Sequence, residues 1–216
     1  MSLPPTHLRL HRYHDGMVGV VQNAVRCGSS RLFSIPTDSA NTFAVNDFHQ
    51  EVAHQHQTQE VQAKVLSNYR NIARDMFGTI VKKLDAAQGI NGGSVLDQGL
   101  VIWTHESCKD THDNANHPVV TAGSAGGYFK TGHHVDLRNH SKPMKGVWGG
   151  DLGFAGIHYN RWLANIAMAM GCSPAEFERN NKRGYGPHGY EFRIGTNSTH
   201  AEQMGDFSQR LPFITT

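Results

Sequence analysis

The chain has 216 residues, a formal net charge of +2, 38% hydrophobic residues, 23 Gly, 15 His and 3 Cys. That length suffices to bury a core without disulfide or metal staples, and near-neutral charge argues against a nucleic-acid partner. No run approaches the ~18 apolar residues of a membrane span, and no signal-like segment opens the chain. Cys27, Cys108 and Cys172 are odd in number, far apart and without CxxC spacing, so neither a disulfide framework nor a Cys-rich zinc site is expected.

In chain order, residues 8–28 predict a helix, with Leu10, Tyr13, Met17, Val20, Val21 and Ala24 at three- and four-residue steps and Gly28 as its stop. Residues 31–35 predict a short buried strand ended by Pro36. Residues 37–58 have no period and carry Asp38, Asp47, His49, His54 and His56, a loop at a strand's C-terminal end. The strongest helix follows Thr58. Val61, Val65, Tyr69, Ile72, Met76, Ile80 and Leu84 make one apolar stripe running to about Ala87.

Asn91-Gly92-Gly93 predicts a turn. Residues 99–104 form a continuous apolar run, the pattern of a parallel strand covered on both faces. A polar loop follows at 107–117, then a strand at 118–122. Residues 124–132 predict a Gly-rich turn, and 138–153 read as irregular. Residues 157–170 predict a helix with Trp162, Ile166 and Met170 as its stripe. Ser173-Pro174-Ala-Glu176 is a helix start with an N-cap, Pro at N1 and Glu at N3. Beyond Gly184 periodicity is lost. The expected fold is α/β, with a mainly parallel sheet flanked by helices. Residues 1–186 form one unit and 187–216 an irregular tail.

Two loops collect candidate ligands. The first holds Asp47, His49, Glu51, His54 and His56; the second holds His105, Glu106, Asp110, His112, Asp113 and His117. Neighbouring parallel strands would bring them together. Imidazole with carboxylate suits zinc first, with manganese or iron behind it and calcium where carboxylates dominate. A bound divalent ion lowers the pKa of water and clamps an anionic substrate.

Blander readings compete. Polar loops often carry His and Asp for solubility and turn-making. His49 and His54 are five apart, unlike the i, i+4 spacing of HExxH. His7, His11 and His14 flank an apolar stripe and read as a solvated face. His133 and His134 read as a surface pair, or as a strand end near the site. The Gly cluster at 122–127 fits no phosphate-binding motif and reads as a positive-φ turn. Thr37, Ser39, Ser107 and Cys108 lack the context of an activated nucleophile.

The segments His49-Gln-Glu-Val-Ala-His54, Trp103-Thr-His-Glu106, His112, Pro118-Val-Val-Thr-Ala-Gly123, Gly126-Gly-Tyr-Phe-Lys-Thr-Gly132 and Tyr159-Asn-Arg-Trp-Leu163 occur in one order. So do Ala169-Met-Gly171, Thr6-His-Leu-Arg-Leu10 and Arg31-Leu-Phe. In these, residues 5–186 resemble the C-terminal half of a bacterial family, domain of unknown function 1552. That family is thought to belong to the alkaline-phosphatase-like group of metal-dependent hydrolases. Its HHELSHH-like run falls on residues 49–55, with Gln50 and Gln55 in place of His.

The resemblance implies His49, His54, Glu106 and His112 as metal ligands, with Asp47 and His105 second. It implies hydrolysis of phosphate or sulfate esters, and an exported or periplasmic location. It also places the nucleophile and the first-strand carboxylate in a half not matched here. The alternative is therefore a non-catalytic metal-binding or assembly module, self-associating or completed by a partner chain that covers an exposed sheet edge. A redox site built from His and Cys108 is the third reading.

Overall fold

In the computed structural model the described residues are 6–36, 43, 45–105, 116–145, 151–177 and 209–216. They belong to two compact units, Met1–Asp97 and Gln98–Thr216.

The first unit is helical among its described residues. Helix α1 (Thr6–Arg26) ends where the sequence predicts. Gly28 takes φ +65°, its N–H donates to Val25 O, and Ser29 N donates to Ala24 O. This paired closure needs a left-handed residue, which Gly supplies without strain. A short helix α2 (Phe48–Glu51) and one tight turn at Ala53–Gln55 follow. The long helix comprises α3 (Gln59–Asn71), a π-helical stretch (Ile72–Phe77) and α4 (Gly78–Asp85). Thr58 caps it, its hydroxyl accepting from Val61 N.

The π stretch has a cause in the stripe itself. Most of its steps are four residues, and each drifts about 40° from an α-helical face. One wider turn absorbs an extra residue and brings Met76, Ile80 and Leu84 back toward one side. All three are buried. Gly78 N donates to Ala73 O, five residues back, and a Cβ at Gly78 would stand 3.2 Å from that oxygen. Val18 and Val21 of α1 complete this core, and α1 packs on the π stretch and α4. Lys83 pairs with Asp15 at 3.5 Å on its edge. Val95–Gln98 forms a further short helix, α5.

The described residues of the second unit hold two antiparallel hairpins and two helices. Strand β1 (Val101–Thr104) pairs with β2 (Val119–Ala122), Thr104 opposite Val119 and Val101 opposite Ala122. Strand β3 (Arg138–Lys145) pairs with β4 (Asp151–Gly156) through shifts in register. Helix α6 (Tyr159–Ala169) is capped by His158, whose Nδ1 accepts from Asn160 N at 3.1 Å. It ends at Gly171 by the same paired closure seen at Gly28. In α7 (Pro174–Phe177) the expected cap forms, with Ser173 N and Oγ both donating to Glu176 Oε2. Phe129, Trp162 and Leu211 are the buried centre, with Ile102, Val119 and Ile166 packed against them.

The α/β expectation is overturned. Among the described residues both sheets are two-stranded and antiparallel, and no parallel pair occurs. An alkaline-phosphatase-like half-sheet is therefore not what forms. An apolar run does not distinguish a parallel strand from one half-buried in a hairpin, and Val101, Ile102 and Trp103 are only half-buried. Residues 31–35 form no strand, and Leu32 is 75% exposed. Residues 138–153, read as irregular, hold β3 and much of β4. Charge and Pro143 hid β3, since Lys and Pro are residues that edge strands tolerate. Much of the tail, 178–208, lies outside the described residues, but 209–216 reach the core of the second unit.

Two candidate histidine sites

In the first unit, Asp47 caps α2, its Oδ1 accepting from Gln50 N at 3.2 Å. Glu51 Oε1 reaches back and accepts from Asn46 N at 3.1 Å and Asp47 N at 2.8 Å. These two carboxylates thus hold a helix too short to persist alone. Val52 then breaks the helix at φ −121° and ψ −60°, with its side chain 2% exposed. That buried pin turns the chain into the Ala53–Gln55 turn and swings His54 back onto His49. The rings meet edge to face at 4.5 Å, and the Nε2 atoms lie 3.0 Å apart. Phe43 packs on Phe48 at 5.0 Å and on Tyr69 at 6.1 Å.

A 3.0 Å contact between two Nε2 atoms has two chemical readings. As a hydrogen bond, one ring carries hydrogen on Nε2 and the other presents a bare lone pair. As a metal pair, both nitrogens are bare, and one cation at the usual Zn–N distance of ~2.0–2.1 Å lies within reach of both. The residues therefore fit two positions of a coordination sphere. Among the described residues no group of three or more His, Cys, Asp or Glu is arranged to hold a metal. Asp47 is placed as a cap. Glu106 and His112 lie outside the described residues, as do Cys108, Asp110 and Asp113.

The second unit has its own pair, at the loop end of the β1–β2 hairpin. His117 Nε2 lies 2.8 Å from Thr104 Oγ1, and its ring leans on Tyr159 at 4.7 Å. His105 lies against Trp103 at 5.3 Å. Burial pushes the His105 imidazole below its ordinary pKa, and the neighbouring His117 lowers it further. Burial also depresses His117, partly offset by a hydrogen bond to the His105 main chain. Both rings are thus biased toward the neutral form that ligates metals and accepts protons.

No family model, no curated protein and no solved structure matches this chain. Among the described residues no helix is long and apolar enough to cross a membrane.

The structure brings together His49 with His54, and His105 with His117. Neighbouring parallel strands, which would join the two loops, do not occur among the described residues. In sequence His117 is one of six candidates in its loop, and Thr104 is not among them. Antiparallel pairing of Thr104 with Val119 is the signal that would have placed them together. His133 and His134 are exposed, and His158 serves as a cap. The side chains of His7, His11 and His14, and all of His188 and His200, lie outside the described set. The Gly cluster is the positive-φ turn expected of it, with Gly123, Ala125, Gly126 and Gly127 all left-handed.

Proposed function

We propose that the chain is a divalent-metal-binding module in which His49 and His54 supply two of the ligands. The observation that carries this is the 3.0 Å approach of their Nε2 atoms, held by Val52 and the Asp47–Glu51 cap. Two imidazoles select zinc over calcium, with manganese next. Glu106, His112 and His105 are ligands that the family resemblance implies; they belong to the second unit and are not assigned to this ion. Hydrolysis of phosphate or sulfate esters is the activity that the same resemblance attaches to such an ion. When bound, the ion would polarise an ester oxygen or lower the pKa of water. The protein's part is to hold His49 and His54 with both lone pairs converging.

Equilibrium dialysis against zinc, manganese and calcium, followed by elemental analysis, tests the reading. The expected result is one zinc per chain, lost in His49→Ala and in His54→Ala. Unchanged stoichiometry in both variants rejects the site. Aryl phosphate and aryl sulfate turnover by the zinc-loaded chain, abolished in the same variants, is the expected sign of a hydrolase. Zinc binding with no turnover leaves the non-catalytic module as the function.

A further inference from the structure

The contacts of residues 209–216 are those of a bound peptide. Antiparallel pairing joins them to the 124–130 turn: Phe129 bridges Thr215, Lys130 N donates to Ile214 O at 2.9 Å, and Thr216 N donates to Tyr128 O at 3.0 Å. An anchor side chain, Leu211, is 2% exposed and packs with Phe129 and Trp162. A wholly buried amide, Asn165, reads the main chain on either side of position 210. Its Nδ2 donates to Gln209 O at 3.0 Å and its Oδ1 accepts from Leu211 N at 3.1 Å. Tyr128 Oη donates to the same Oδ1 at 3.1 Å, which fixes the amide's orientation. Arg161 adds donors to Gln209 O and Arg210 O.

Between anchor and strand the segment bends sharply. Phe213 has φ +69° and is 74% exposed. A bulky residue adopts that conformation at a cost, so the contacts on both sides must over-determine the bend. Strand pairing with a pocketed anchor is a recurring way in which folded domains take extended peptides.

We propose that the cleft between the 124–130 turn and α6 is a peptide-recognition groove, and that the 209–216 segment of a second copy of this chain can fill it in trans. The occupant follows from what is seen seated there: the groove's contacts are made to main chain and to Leu211, and every copy carries the same segment. Among the described residues, the polar contacts of the segment lie within residues 127–130, 161–165 and 209–216. The connection at 178–208 reaches on the order of 100 Å if extended, so it permits closure within one chain or between two. At dilution the tether's effective concentration, on the order of millimolar, favours self-closure; crowded copies exchange segments. This proposal rests on none of the histidines.

The test uses the full chain with a site-specific protease sequence inserted after Gly195, cut under native conditions. The released fragment should co-elute with the remainder. Excess labelled peptide corresponding to residues 209–216 should displace it. The Leu211→Ala peptide should be weaker by about tenfold or more. If cutting unfolds the second unit, added peptide should restore the near-ultraviolet signal of Trp162. Immediate loss of the fragment with that signal intact overturns the proposal. So does a fragment that no peptide displaces, or an unfolded unit that no peptide restores. For the uncut chain, native mass spectrometry should show a dimer that grows with concentration and falls in Leu211→Ala. A dimer fraction indifferent to Leu211→Ala, or no dimer at any concentration, overturns exchange between copies.

Discussion

The two units hold histidine pairs assembled by opposite means. His49 and His54 meet within a single helical turn and its exit, and both are exposed. His105 and His117 are half-buried and meet only because β1 and β2 pair antiparallel. The first pair is open for an ion to approach and is positioned through Val52 and the Asp47 cap. The second is set in a folded surface beside Trp103 and Tyr159, where desolvation rather than access governs its chemistry. Local geometry thus makes a site that is open to an ion, and long-range geometry makes one that is electrostatically tuned.

Several substitutions sharpen that contrast. The largest effect belongs to Leu211→Ala, which empties the centre of the second unit and should cost about 2–5 kcal/mol in denaturant unfolding. Asn165→Ala should cost about 1–3 kcal/mol by leaving Leu211 N without its acceptor, while Gln209 O keeps Arg161 Nε. A loss below experimental error in both variants would mean that residues 209–216 do not hold this core. In the first unit, Val52→Ala should cost about 1–3 kcal/mol and also weaken zinc binding, since the turn that aims His54 loses its pin. Asp47→Ala should cost about 1 kcal/mol at most, read as lost helicity and a modest fall in zinc affinity.

The second pair carries a pH signature. His105 and His117 have folded pKa values below the ordinary ~6.5, so on acidification the unfolded chain takes up protons first. Stability of the second unit should therefore be full above about pH 6.5 and decline as pH falls through and below it. Thermal melts from pH 8 to 5 should show this slope, and His117→Asn should flatten it. A slope unchanged in His117→Asn would contradict the assignment.

Legibility in the sequence followed the range of the interactions. Helix bounds at Arg26 and Asp85, and the stops at Gly28 and Gly171, rest on local periodicity and on glycine's access to positive φ. These were readable, as was the Ser173–Glu176 cap. His49 and His54 were singled out by density in a loop and by resemblance, though not their contact, which needs Val52 buried. Sheet topology was not readable. The run at 99–104 is equally apolar for a parallel strand and for a half-buried hairpin, and the wrong choice carried the whole α/β architecture with it. Strand β3 is not legible in the sequence because Lys142, Pro143 and Lys145 suit an edge and break alternation. Leu211 stood in a segment without period, where only packing against Trp162 reveals its role.

The most direct test of the metal reading watches the two nitrogens themselves. Long-range proton–nitrogen spectra of the imidazoles, recorded on the full chain before and after one equivalent of zinc, report whether each Nε2 carries hydrogen, a lone pair or a metal. Nε2 of His49 and Nε2 of His54 should shift together to the metal-bound range, and His54→Gln should remove both changes. Spectra in which zinc leaves one Nε2 protonated and the other bare would show a hydrogen-bonded pair and contradict the metal reading.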